Sequence, residues 1–146
     1  MNKLFNFKFI LAATFTFIPY TALWFFWHNN LFYIVYYPGK YAYGALNFVH
    51  TVHSQNIWSM NFANALLVYG FVYFYWRMAK LETRLIQPVM WGIYYNLSVI
   101  GFFSFMLFGI TKYWDITYII YDILWCIAGG AFMGVMTYYT HKRLTR

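Results

Sequence analysis

Four long runs of apolar residues, near 9–27, 58–76, 89–110 and 116–139, constrain this chain more than any other feature. Each is long enough to cross a hydrocarbon core of about 30 Å, which takes about 20 helical residues at 1.5 Å rise. The runs are continuous, whereas a membrane β-barrel needs short alternating segments. The remaining residues cannot cover a soluble particle. The chain is 63% hydrophobic and 9% charged, against about a quarter charged in soluble domains. The expectation is one all-α domain over 1–146: an integral membrane bundle of four transmembrane helices, without repeats or linkers.

Lys3 and Lys8 ahead of the first run give it the look of a secretory leader. Ala22, the best small residue for cleavage, has Tyr20 two positions before it, where signal peptidase needs a small side chain. An uncleaved first helix is expected.

Basic residues orient the bundle. Lys3 and Lys8 precede the first run, Arg77, Lys80 and Arg84 fill the second connection, and Lys142, Arg143 and Arg146 follow the last run. Lys40 and Lys112 fall on the other side. The positive-inside rule then puts both termini in the cytoplasm or its organellar equivalent. Trp24, Trp27, Trp58, Trp76, Trp91 and Trp114 lie near the expected helix ends, as interfacial indoles do. The connection over 29–57 becomes an external, aromatic-rich loop along the interface, with a short element stopped by Pro38 and Gly39. The net charge of +7 is spent on topology, and no basic stripe or motif points to nucleic acid.

Asp122 is the acid lying well inside an apolar run, where an ionisable group is costly. Asp122, Cys126, Gly130 and Gly134 recur every fourth residue, so one stripe of the last helix carries the acid and a row of small residues. Small residues let another helix backbone approach closely, so the stripe should face protein. Asp122 sits about 9 Å below the external surface at 1.5 Å per residue. Asn61, Asn64, Ser104 and Thr21 share that depth, while Asn96 is nearer the cytoplasmic face. Asn64 or Ser104 is the expected partner. Two readings stay open: a polar pocket binding a proton, a cation or a ligand amine, or a buried acid that fixes helix register by hydrogen bonding.

His28, His50 and His53 fall on the external side, and His50 with His53 has the i, i+3 spacing of one helical face. They are weak metal candidates, because no Cys or carboxylate cluster completes a site. Neither a metal nor a cofactor is expected. Nucleophile elbows, phosphate loops and zinc-protease motifs are absent from the sequence, which points away from an enzyme. The 16 Tyr and 17 Phe are spread over every helix, as lipid-facing and subunit-facing rings would be, and do not gather into a pigment or quinone box.

The carboxyl half carries Trp114 and then Asp122-Ile123-Leu124-Trp125, with Tyr95-Asn96-Leu97-Ser98 before it and Leu23-Trp24 and Phe32-Tyr33 earlier. In these residues it resembles an uncharacterised bacterial membrane-protein family, the one numbered 2177 among the domains of unknown function. Asn96 stands where that family has an acid, and Cys126 where it has glycine. The resemblance implies a four-helix architecture and supplies no reaction.

The resulting expectation is a non-catalytic membrane component, an accessory or structural subunit whose partners are the lipid bilayer and other membrane subunits or further copies of itself. Its place would be a bacterial inner or plasma membrane, or an organellar inner membrane. The alternative is a small carrier or binding protein for a hydrophobic or cationic ligand, proton-coupled through Asp122.

Overall fold

A computed structural model describes residues 7–28, 42–79, 84–110 and 116–145, without side-chain detail for 42–57, 60, 107, 108, 117 and 118. The described chain forms four helices: α1 (Phe7–Phe26), α2 (Ala42–Met78), α3 (86–110) and α4 (Ile116–Thr145). A π-turn over Leu97–Gly101 interrupts α3 between the α-helical segments Ile86–Asn96 and Phe102–Ile110.

Among the described residues, three stretches are long and apolar enough to cross a membrane: Phe7–Phe26, Ile86–Met106 and Ile119–Thr145. They correspond to the first, third and fourth runs of the sequence. The second run behaves differently. Its helix begins at Ala42 and not near 58, so 42–57 of the expected external loop is helical. That stretch contains no proline and only Gly44 as a breaker, so nothing local stops the helix. Asn61, Asn64, Tyr69, Tyr73 and Tyr75 lower the mean hydropathy of α2, and it does not reach the apolarity of the other three. Residues 29–41 of the expected loop, with Pro38, Gly39 and Lys40, lie outside the described residues, as do Lys3, Lys80, Lys112, Trp114, Asp115 and Arg146.

Burial picks out one stripe per helix. On α1 it is Phe9, Ala12, Ala13, Thr16 and Tyr20, and on α2 it is Asn64, Leu67, Val68, Phe71, Val72 and Tyr75. The steps of three and four residues put each set on one helical face. The opposite faces are also apolar, with Phe15, Ile18, Phe62 and Leu66 exposed. A helix apolar all round suits a lipid surround better than water.

Helices consecutive in the chain run antiparallel, as do α1 and α4. Phe9 packs edge-on against Tyr69 and Trp76, at ring separations of 6.4 and 6.2 Å, and the Thr14 and Tyr69 hydroxyls share a hydrogen bond of 2.9 Å. These contacts set the start of α1 beside the end of α2. Tyr20 meets Trp125 at 5.5 Å and Trp27 meets Tyr121 at 5.1 Å, which sets the end of α1 beside the first half of α4. His141 of α4 lies between Tyr75 and Trp76. Lys8, Arg77, Arg84, Lys142 and Arg143 therefore collect at one end of the bundle, and His28, Tyr121 and Asp122 at the other.

α4 packs most extensively on α3. A Cβ built on Gly130 would lie 2.5 Å from the Gly92 carbonyl oxygen and 2.8 Å from Ile93 Cα. One built on Gly134 would lie 2.6 Å from the Pro88 carbonyl carbon, and one on Gly92 would strike the Gly130 carbonyl oxygen. Backbone thus rests on backbone, an approach only glycine permits. Pro88 is tolerated there because the first turn of a helix leaves its N–H groups without intrahelical partners anyway.

Candidate functional site

The glycine contacts bring α3 and α4 together, and the stripe above them ends in a polar contact between the same helices. The Ser104 hydroxyl donates a 2.6 Å hydrogen bond to Asp122 Oδ2. Asp122 is 5% exposed. The other carboxyl oxygen, Oδ1, lies 3.8 Å from His28 Nε2, supplied by the end of α1. Three helices therefore converge on one acid.

Register explains why Ser104 is the partner. Gly134 abuts Pro88 and Gly130 abuts Gly92, so a straight continuation would set Asp122 against Ile100. The acid instead meets Ser104, one turn further along α3. Two effects add. The π-turn at Leu97–Gly101 adds backbone to α3 just before the contact, and helical side chains lean toward their own N-termini, so in an antiparallel pair longer side chains meet further along than backbones do. Cys126, between the glycines and the acid, is buried against the Gly101 backbone.

His28 is fixed by its other nitrogen. Nδ1 lies 2.9 Å from the Trp24 carbonyl oxygen. A carbonyl only accepts, so Nδ1 carries a hydrogen and Nε2 is the nitrogen turned to Asp122. The ring stacks on Trp24 at 4.6 Å and meets the edge of Trp125 at 5.5 Å. Tyr121 donates from its hydroxyl to the Trp27 carbonyl oxygen at 2.9 Å, which ties the end of α1 to α4 a second time. An imidazole nitrogen and a carboxyl oxygen thus face one another at 3.8 Å inside an aromatic wall of Trp24, Trp27, Tyr121 and Trp125.

The expected site residues fall into two groups. Asp122, Ser104, Cys126, Gly130 and Gly134 come together on the α3–α4 face. Asn64 is buried on α2, but its side-chain amide nitrogen has no hydrogen-bond partner, and Asn61 is half-buried; neither bonds to Asp122. His50 and His53 lie on α2, with side chains outside the described residues. Among the described residues, no three or more His, Cys, Asp or Glu gather in one place.

Two residues gain a role that the sequence did not suggest. His28 was singled out as a weak metal candidate and serves as the partner of Asp122. A search by depth within the apolar runs passes over it, because it lies just beyond the first run. Asn96, fully buried on α3, donates to the Tyr20 hydroxyl at 3.3 Å and joins α3 to α1. Its own carbonyl oxygen and the Trp27 and Trp125 indole N–H groups are buried without partners.

The fold and the site together define a helical bundle with three stretches long and apolar enough to cross a membrane and a buried acid, Asp122, contacted by two neighbouring helices. No family model, no curated protein and no solved structure matches the chain, so the resemblance of its carboxyl half to family 2177 rests on the quoted residues.

Proposed function

We propose that this chain is a non-catalytic component of a membrane, acting as an accessory or structural subunit of a larger membrane complex. One observation carries the reading: Asp122 is enclosed, with Oδ2 taken by Ser104 of α3 and Oδ1 turned to His28 at the end of α1. An acid used in this way locks helices in register, and Asp122 is almost wholly buried. The outward faces then offer what a subunit needs, a surface of exposed aromatic and aliphatic side chains such as Phe62, Tyr94, Phe103 and Phe105.

In this reading α2 makes the fourth crossing, the basic end faces the cytoplasm or matrix, and the membrane is a bacterial inner or plasma membrane or an organellar inner membrane. The gathering of Lys8, Arg77, Arg84, Lys142 and Arg143 at one end supports that orientation through the positive-inside rule. Reporter fusions at the two termini give matching cytoplasmic signals if it holds.

Native mass spectrometry after mild detergent extraction tests the subunit role. Stoichiometric co-purification of other membrane proteins is the expected result. A lone monomer, or a small homo-oligomer that retains a small ligand, overturns it.

A proton-coupled carrier is the second reading, favoured by the orientation of His28, which aims Nε2 at the acid, and by the two unpartnered indole N–H groups beside the pair. In vesicles carrying a pH-sensitive dye, a proton flux that is lost in Asp122→Asn supports this alternative.

A further inference from the structure

The basic end of the bundle contains a groove unrelated to Asp122. Phe15 of α1 and Met136, Tyr139, Thr140, Arg143 and Leu144 of α4 enclose about 370 Å³. That volume falls within the range of about 300–1,000 Å³ usual for small-ligand sites. Positions 136 to 144 extend about 12 Å along a helix axis, most of the roughly 15 Å of hydrocarbon in one leaflet. The lining is mainly apolar, and its cationic group, Arg143, is exposed near the end of α4.

Charge decides what fits. Lys142, the neighbouring cation, is turned away: its Nζ lies 5.4 Å from the Tyr138 ring centre and 3.4 Å from the Tyr138 hydroxyl. Arg143 is exposed and has no ion-pair partner among the described residues. Of the three acids, Asp122 is at the opposite end, and Glu82 and Asp115 lie outside the described residues. The Thr140 hydroxyl donates to the Met136 carbonyl, so its oxygen can still accept a hydrogen bond. A mainly apolar trough with an exposed guanidinium in its lining, without an acidic partner among the described residues, matches a lipid tail joined to a phosphate.

We propose that the α1–α4 groove binds an anionic glycerophospholipid, with one acyl chain along Phe15, Met136 and Leu144 and the headgroup phosphate on Arg143. The proposal requires the chain to lie in a bilayer, and it holds equally for a subunit or a carrier.

The test is native mass spectrometry of the full chain in mild non-ionic detergent. Phosphatidylglycerol and phosphatidylcholine with the same acyl chains are added in equal amounts. The wild type binds phosphatidylglycerol about fivefold more than phosphatidylcholine, the size of effect one basic residue gives at a lipid surface. Arg143→Gln brings that ratio close to one, and Arg143→Lys keeps most of it. Arg77→Gln removes a charge from the same end without touching the groove, and keeps the wild-type ratio. Met136→Trp fills the trough and lowers binding of both lipids, with helix content checked by circular dichroism. Equal binding by the wild type overturns the site, and so does a ratio that survives Arg143→Gln or falls as far in Arg77→Gln. In each of these cases a chain that still requires detergent leaves the membrane reading standing.

Discussion

Replacing Gly130 with alanine puts one methyl group where two helix backbones touch. The new Cβ would lie 2.5 Å from the Gly92 carbonyl oxygen and 2.8 Å from both the Gly92 carbonyl carbon and Ile93 Cα. Ordinary contact begins at 3.4 Å, so α3 and α4 must separate by about 0.9 Å, the shortfall from 2.5 Å. The atoms in the way are backbone, and no side-chain rotation relieves them. Forcing extra volume into a packed interface costs about 1–3 kcal/mol, while alanine regains up to about 1 kcal/mol of helix propensity over glycine. The expected net loss is about 0–2 kcal/mol, or about 1–3 kcal/mol relative to a glycine-to-alanine change that meets nothing. Gly109→Ala is the matched control, because a Cβ there meets nothing within 4 Å. It should be neutral or slightly stabilising. Unfolding of both variants by sodium dodecyl sulfate titration in mixed micelles, followed by circular dichroism, makes the comparison. If Gly130→Ala is as stable as Gly109→Ala, the close approach of α3 and α4 is wrong.

Other contacts give graded expectations in the same assay. Trp125→Ala empties a fully buried site against Tyr20, Trp27 and His28 and should cost about 3–5 kcal/mol. Tyr69→Phe removes the hydroxyl bonded to Thr14 but keeps the ring against Phe9, so a loss of about 0.5–1 kcal/mol is expected. Leu124→Ala changes an exposed, outward-facing residue of α4 and should leave stability within about 0.5 kcal/mol while weakening assembly if that face meets another subunit.

Local composition carried most of the architecture. Three of the four runs are helices of spanning length and apolarity, because an uninterrupted apolar run has few other stable states in lipid. The four-residue stripe on α4 placed Asp122, Cys126, Gly130 and Gly134 on a protein-facing side, since helix periodicity is a local property. Depth arithmetic left Asn64 and Ser104 as the candidates, and Ser104 is the one that bonds to Asp122: depth fixes height along the bundle but not which helices are neighbours. The start of α2 was not legible, because 42–57 mixes aromatic and polar residues without a breaker and hydropathy alone does not separate helix from loop there. The π-turn left no signal in composition, and the pairing of His28 with Asp122 depends on the end of α1 folding back over α4.

The central claim is that Asp122 holds α3 and α4 together through Ser104. A double-mutant cycle of Ser104→Ala and Asp122→Ala, measured as unfolding free energy in the same micelles, tests it directly. Ser104→Ala alone should cost about 0.6–2 kcal/mol, Asp122→Ala should cost more because it also removes the partner of His28, and the coupling between them should reach at least about 0.5 kcal/mol. Strictly additive losses would contradict the account and leave Asp122 free for another use.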